Sequence, residues 1–131
     1  MGLFGGIFGK GEGNKEERKL EIPWIALAHM EQLDEISAKS TGKPQFLFKH
    51  STTCGISRMV LNGFKSSYSL ASGQADFYFL DLHAYRAVSN GIAQKFQVIH
   101  QSPQLLVVKN GVVVAHASHG GIAEIALEAY V

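Results

Sequence analysis

Cys54 and Ser57 are the residues of this chain whose types and spacing best fit sulfur chemistry. The apolar run Phe46-Leu47-Phe48 leads through a short polar turn to Cys54, and helical periodicity begins directly afterwards. Cys54 is therefore predicted at a helix N-terminus. There, unpaired backbone N–H groups and the helix dipole favour the thiolate, which is the form that attacks sulfur.

The surroundings of Cys54 favour a reactive thiol over a buried structural one. The polar residues Ser51, Thr52 and Thr53 precede it, and Gly55 and Ile56 follow it within the motif Cys-Gly-Ile-Ser. Because Ser57 lies one helical turn after the cysteine, we expect its hydroxyl to donate a hydrogen bond to the thiolate. Ser57 cannot act as a second thiol, so a disulfide formed on Cys54 must await an external thiol.

The histidines are a second group of candidates, distributed along the chain as His29, His50, His83, His100, His116 and His119. None shows the spacing of a zinc motif, so no metal site is expected. His50 and His100 are predicted near Cys54, where they stabilise the thiolate, contact a carboxylate of a small thiol, or serve as ordinary hydrogen-bonded loop residues. Lys49 and Thr52 are further candidate contacts, with Lys49 equally interpretable as a solvated strand end.

Composition limits the classes of function. A chain of 131 residues, 46% of them apolar, is long enough for one domain with a real core. The net charge of +1 and the scattered basic residues argue against nucleic-acid binding. A single cysteine without a secretory signal indicates a reducing cytoplasm, and no apolar run reaches the length of a membrane span.

Residues 1–22 differ in composition from the rest. A glycine-rich apolar segment, Gly2 to Gly9, precedes a charged run from Lys10 to Lys19. The segment lacks the features of a signal peptide. We interpret it as a flexible tail, with contact to a membrane surface or a partner as the alternative. The globular domain is predicted over residues 23–131.

Periodicity predicts alternating strands and helices from Trp24 onward. A short edge strand at 24–25 precedes a helix, and the later segments are a strand at 45–49, a helix at 54–66, a strand at 77–82, a helix at 83–96, a hairpin of 105–108 with 112–116, and a helix at 120–130. Asn110-Gly111 is a strong hairpin signal. Ser118 is a candidate cap for the last helix.

This order of elements resembles the thioredoxin fold: an α/β architecture whose central mixed sheet joins a parallel half to a C-terminal β-hairpin and is flanked by helices. The resemblance places Cys54 at the carboxyl end of a strand, where open α/β sheets hold their sites. It also implies that Pro103, preceded by Ser102, follows a cis peptide bond and lies against the reactive sulfur.

Three separated motifs resemble the YtxJ-type monothiol bacilliredoxins: Phe48–Ser57, His100–Gln104, and Ser118-His119. The resemblance implies a thiol-disulfide oxidoreductase that removes bacillithiol from protein mixed disulfides, with Cys54 accepting the bacillithiol moiety. Bacillithiol would then be a co-substrate, with no bound cofactor, and the partners would be S-thiolated proteins. Gln101, where an acidic residue is common, and the glycine-rich tail depart from the pattern.

Two other functions remain open. Cys54-Gly55-Ile56-Ser57 is one conservative substitution from the C-G-F-S motif of monothiol glutaredoxins, which carry an iron-sulfur cluster with glutathione, and Gly120-Gly121 matches their glycine pair. Ser102-Pro103 differs from their Thr-Val-Pro motif. A non-enzymatic redox-sensing adaptor domain, whose cysteine becomes capped under stress, is the other alternative.

Overall fold

The fold was obtained as a computed structural model, which describes residues 21–71 and 73–131. Up to the C-terminal hairpin, the regular elements follow one another in the alternating order that the sequence predicts. They are β1 (Trp24–Ala26), α1 (Glu31–Lys39), β2 (Gln45–His50), α2 (Gly55–Ser67), β3 (Asp76–Asp81), α3 (Arg86–Phe96), β4 (Gln104–Lys109), β5 (Val112–Ser118), and the 3-10 segments His119–Glu124 and Leu127–Tyr130.

The strands form one mixed sheet in the order β1-β3-β2-β4-β5. β1 and β2 both run parallel to β3, whereas β4 is antiparallel to both β2 and β5. The predicted mixed sheet, with a parallel half and a C-terminal hairpin, is therefore confirmed. This arrangement makes β2, the strand that leads to Cys54, the central strand.

Alternate residues of β2 face two separate cores. Phe46 and Phe48 pack on the side of α2, with Phe64 among their neighbours, while Leu47 packs on the side of α1 and α3. Because both faces are covered, every residue of β2 is buried. A central strand of this kind holds its carboxyl end, and the turn that follows, in a fixed place.

The Asn110-Gly111 turn joins β4 to β5 as predicted. Both residues have positive φ, 53° at Asn110 and 78° at Gly111. This is the conformation that a two-residue type I′ hairpin turn requires, and it explains the choice of asparagine and glycine.

The predicted helix from Gly120 to Tyr130 is wrong. β5 continues to Ser118, and two 3-10 segments follow, separated at Ile125 by an extended backbone (φ −80°, ψ 120°). This break allows Ile122 and Leu127 to enter the same core on the α2 side. Burial of these two side chains prevails over the helical periodicity, and Ser118 makes no side-chain capping bond.

The helix predicted from His83 begins instead at Arg86. Residues 82–85 form a turn tied to the strand ends, because Leu82 N–H donates to the His50 carbonyl at 2.9 Å and Tyr85 N–H donates to the Asp81 carbonyl at 3.0 Å. His83 consequently lies on a loop beside the end of β2 rather than on a helix.

The predicted tail, residues 1–22, lies almost wholly outside the described residues. Of its last two residues, Ile22 packs into the core on the α2 side, so the folded part includes this residue. Among residues 21–71 and 73–131, no helix has both the length and the apolar composition needed to span a membrane.

Candidate functional site

Loops from three parts of the chain meet at one edge of the sheet. The register pairs His50 with Asp81 at the carboxyl ends of β2 and β3, and Lys49 with Gln104 at the amino end of β4. The turn 51–54, the loop 82–85 and the segment 97–103 therefore lie at the same edge, which is where open α/β sheets hold their sites.

Cys54 is the N-cap residue of α2, as the sequence predicts. Its backbone is extended (φ −106°, ψ 123°), and its carbonyl accepts the first helical bond from Arg58 N–H at 3.1 Å. Its own N–H donates to the Ser51 carbonyl at 3.3 Å, which closes the turn 51–54. The side chain is half-buried, and the unpaired N–H groups of the first helical turn favour negative charge at this position.

The residues flanking Cys54 are open to solvent. Thr52, Thr53 and Gly55 are exposed, and 54% of Ile56 is accessible. The half-buried sulfur therefore lies within an accessible surface that contains both hydroxyl groups and an apolar side chain. Such a surface permits the approach of another molecule's disulfide.

Ser57 is wholly buried and is hydrogen-bonded to the turn 51–54 on its interior side. Ser51 N–H donates to Ser57 Oγ at 3.1 Å, and His50 Nδ1 lies 2.9 Å from the same oxygen. Among the hydrogen bonds of the described residues, none joins Ser57 to the Cys54 sulfur. The predicted hydrogen bond from the hydroxyl to the sulfur is thus replaced by a buried serine–histidine pair that fixes the backbone of Ser51.

The charged form of the His50 ring is disfavoured by its surroundings. The residue is 4% exposed and packs against Phe48 and Phe79. Burial lowers the pKa of His50 below its ordinary value, and the positive charges of Arg58 and Lys65 lower it further, against an opposing effect of Asp81. His50 therefore holds Ser57 through a buried hydrogen bond and is not accessible to an incoming ligand.

Lys49 is not a solvated strand end, and that expectation is wrong. Its side chain is 0% exposed, because it points with Leu47 toward α3 from the central strand. Lys49 Nζ donates to the Ser89 carbonyl at 3.3 Å and to His100 Nδ1 at 3.2 Å. Burial lowers the pKa of Lys49 from 10.5 to about 8. In this conformation Lys49 has no surface at which to contact an anionic thiol.

His100 is the side-chain partner of Lys49. Its Nδ1 also lies 3.2 Å from Ser89 Oγ, and burial, followed by the charges of Lys49 and Arg86, lowers its pKa. His100 is half-buried, and it anchors the segment that leads to Ser102 and Pro103. Its structural role is thus to position that segment.

The Ser102-Pro103 peptide bond is cis, as the resemblance to the thioredoxin fold implies. Pro103 is buried, and its carbonyl accepts a hydrogen bond from His119 N–H at 3.1 Å. The Ser102 hydroxyl oxygen is also buried and has no hydrogen-bond partner within the described part of the chain. This segment is placed at the same edge as Cys54, immediately before β4.

His83 is among the six histidines of the sequence, but only His50 and His100 were predicted near Cys54. The structure places the Nε2 of His83 2.9 Å from Ser51 Oγ and 3.1 Å from Thr53 Oγ1, which are hydroxyls of the turn that ends at Cys54. The ring is exposed, and Asp81 Oδ1 accepts a hydrogen bond from its backbone N–H at 3.1 Å. One signal was available: His83 directly follows the predicted strand 77–82, whose carboxyl end lies beside that of β2.

Within residues 21–71 and 73–131, no three His, Cys, Asp or Glu side chains lie close enough together to hold a metal ion.

Comparisons with known proteins agree with this geometry. A family model described as monothiol bacilliredoxin BrxC matches residues 25–127. A solved structure described as having a thioredoxin fold is 33% identical, with a TM-score of 0.64, over 76% of this chain and 85% of that one. Thioredoxin from Malassezia sympodialis is 18% identical with a TM-score of 0.60, covering 85% of this chain and 89% of its own. Trypanosoma brucei brucei thioredoxin is 15% identical with a TM-score of 0.61, covering 82% and 88%.

Proposed function

Because the chain belongs to the monothiol bacilliredoxin family and is a thiol oxidoreductase of thioredoxin fold, we propose that it removes bacillithiol from protein mixed disulfides. One observation carries the proposal. The only cysteine of the sequence is the N-cap of α2, and Ser57 occupies the place where a second thiol would stand.

The reaction is an exchange of disulfides. The Cys54 thiolate attacks the bacillithiol sulfur of a protein–bacillithiol disulfide, a bond forms between Cys54 and bacillithiol, and the bond to the protein sulfur breaks. The released protein thiolate takes a proton from water. The substrate protein is thereby reduced and Cys54 is oxidised, so no metal or further electron carrier takes part in the step.

A second thiol must come from outside the chain. Ser57 has no sulfur, and its hydroxyl oxygen is committed to Ser51 and His50. An external thiolate therefore attacks the Cys54–bacillithiol disulfide, which regenerates the Cys54 thiolate and yields a new disulfide with bacillithiol. Low-molecular-weight thiols of the cytoplasm suit this role, and we assign the reaction to that compartment.

The residues around Cys54 have distinct roles in this proposal. Thr53, Gly55 and Ile56 form the surface that meets the substrate protein, and Ser57 holds the turn. Ser102 and Pro103 present backbone to the bound disulfide, with Thr52 at the outer rim. Lys49, His50 and His100 act as supports, because their hydrogen bonds are directed into the protein.

The test compares two small disulfides. Reduced protein is incubated separately with oxidised bacillithiol and oxidised glutathione, and intact-protein mass spectrometry follows the adduct on Cys54. We expect an adduct with bacillithiol at a much higher rate, and none with either disulfide after Cys54→Ala. Equal rates with the two disulfides would contradict the choice of bacillithiol.

The second arm of the test examines the reaction itself and the main alternative. A model protein carrying bacillithiol on a single cysteine should lose it to this protein and keep it in the presence of Cys54→Ala. Protein purified with iron-sulfur cluster absorbance, or release of bacillithiol that survives Cys54→Ala, would overturn the proposal.

A further inference from the structure

We propose that His83 is a positioning residue for Cys54: its imidazole holds the Ser51 and Thr53 hydroxyls and thereby fixes the turn that presents the sulfur. The proposal deepens the function proposed above by adding a residue to the same site. It depends on three distances and on the exposure of one ring.

The hydrogen-bond geometry forms a closed triangle. His83 Nε2 lies 2.9 Å from Ser51 Oγ and 3.1 Å from Thr53 Oγ1, and the two hydroxyl oxygens are 3.4 Å apart. When the ring hydrogen is on Nδ1, Nε2 accepts from one hydroxyl and the other hydroxyl donates to its neighbour; when it is on Nε2, the ring donates to one of the hydroxyls. Either arrangement links two residues of the turn, Ser51 and Thr53, to one imidazole.

The same turn is held from its buried side by Ser57. Ser57 Oγ accepts from the backbone of Ser51, whereas His83 contacts the side chain of Ser51. Ser51 in turn accepts the N–H of Cys54 through its carbonyl. Ser51 is thus fixed at its amide, its hydroxyl and its carbonyl, and the last of these contacts sets the position of the Cys54 backbone.

The loop that carries His83 is itself anchored. Asp81 Oδ1 accepts the backbone N–H of His83, and Leu82 N–H donates to the carbonyl of His50. A ring on so constrained a loop holds its partners at low entropic cost. Because a misplacement of about 1 Å can slow a reaction greatly, loss of the ring should slow the chemistry of Cys54.

The position of His83 also differs from that of the histidines the sequence favoured. His50 is buried, and His100 is directed at Lys49 and Ser89. His83 is exposed and is bonded to Thr53, the residue that precedes Cys54. It is therefore the histidine placed to act on the reactive turn from the solvent side.

The experiment uses three replacements of His83 and the alkylation of Cys54 by iodoacetamide, measured by intact-protein mass spectrometry at neutral pH. Glutamine can place an amide near the position of Nε2, whereas asparagine, one methylene shorter, cannot. We expect His83→Ala and His83→Asn to slow alkylation about fivefold, the loss expected for one hydrogen bond, and His83→Gln to stay within about twofold of the parent. His29→Asn, at an exposed histidine on the loop before α1, is the control and should leave the rate unchanged.

A double-mutant cycle tests whether His83 acts through the hydroxyls. In a Ser51→Ala/Thr53→Val background, His83→Ala should cause no further loss. Equal rates for the glutamine and asparagine variants, a parental rate for His83→Ala, or a full additional loss in the double background would each overturn the proposal. Thermal unfolding of every variant shows that the rates belong to folded protein. Alkylation needs no bacillithiol, so this result stands apart from the test of the proposed function.

Discussion

The side-chain oxygen of Ser57, in place of a sulfur, determines how a disulfide on Cys54 can be resolved. A hydroxyl at this position supports the turn through Ser51 and His50, whereas a thiol would be able to attack a disulfide formed on Cys54. The monothiol character therefore rests on an oxygen that is committed to structure. A single substitution that places a thiol at position 57 should therefore let the protein resolve the Cys54 disulfide internally, without an external thiol.

Ser57→Cys is expected to make the protein release its bound thiol without outside help. The adduct that parent protein forms with oxidised bacillithiol should be replaced by an intramolecular disulfide, seen by mass spectrometry as the loss of two hydrogens. Stability should fall by about 1–2 kcal/mol, because sulfur replaces the hydrogen bonds of the buried hydroxyl. Ser66→Cys, at an exposed position late in α2, is the control and should leave the adduct on Cys54. An adduct that persists on Ser57→Cys would contradict this account.

His50 should make the protein sensitive to acid. Burial lowers its pKa, so below about pH 6.5 the unfolded chain binds a proton that the folded protein resists, and the free energy of unfolding falls as the pH falls. His50→Asn keeps a polar group near the position of Nδ1 but does not titrate in this range. We expect its stability to decrease less between neutral pH and about pH 5 than that of the parent, as measured by urea unfolding. An equal decrease in both proteins would show that His50 does not contribute.

At the level of elements, α2 contains a glycine that its structure does not require. Gly63 lies on an exposed part of the helix, and a Cβ added there meets no atom within 4 Å. Gly63→Ala should therefore raise the free energy of unfolding by about 1 kcal/mol through helix propensity, without altering the alkylation rate of Cys54. Chemical denaturation measures this directly.

Gly91 of α3 is the matched comparison. A Cβ there would lie 2.7 Å from Met30 Cε and 3.2 Å from Leu33 Cδ1, so α1 approaches this glycine closely. Gly91→Ala should gain less stability than Gly63→Ala, and the difference should shrink in a Met30→Ala background. An equal increase in the free energy of unfolding for the two variants would show that Met30 and Leu33 move aside for the added methyl group without loss of stability.

The elements that were predictable are those fixed by local sequence. Asn110-Gly111 determines its turn through the positive φ of both residues, and the position of Cys54 follows from a strand, a turn and a helix in succession. The last helix was predicted wrongly because its fold depends on distant contacts. Ile122 and Leu127 have helical spacing, yet both reach the core on the α2 side only if the backbone is extended between them.

The site was predictable in outline for the same reason. Strand order places Cys54, His83 and Pro103 at one edge, but which side chains touch depends on the loop path. The expectation that Lys49 is solvated was wrong for this reason. Lys49 lies on the opposite face of β2 from Phe48 and on the same face as Leu47, so its burial follows once β2 is known to be the central strand. That knowledge required the strand order, which periodicity alone does not determine.

On the scale of the whole molecule, Lys49 is a buried cation whose described partners are neutral. Its Nζ donates to the Ser89 carbonyl and to His100, and burial lowers its pKa from 10.5 to about 8. Below pH 8 the folded protein bears the cost of desolvating this charge, while the unfolded chain does not. Between about pH 8 and 10.5 the unfolded chain holds a proton that the folded protein has lost, so the free energy of unfolding rises with pH.

The parent protein should accordingly gain about 2 kcal/mol of stability from this group between about pH 7 and pH 9.5, and Lys49→Met, of similar length and without a charge, should lack that gain. Tyr78 has the opposite effect, because burial raises its pKa to about 12, but it is present in both proteins and cancels in the comparison. Urea unfolding at the two pH values, with reductant present, gives the difference. If the two proteins change in parallel, Lys49 keeps its proton in the folded state throughout this pH range, and its contact with His100 is that of a charged ammonium group.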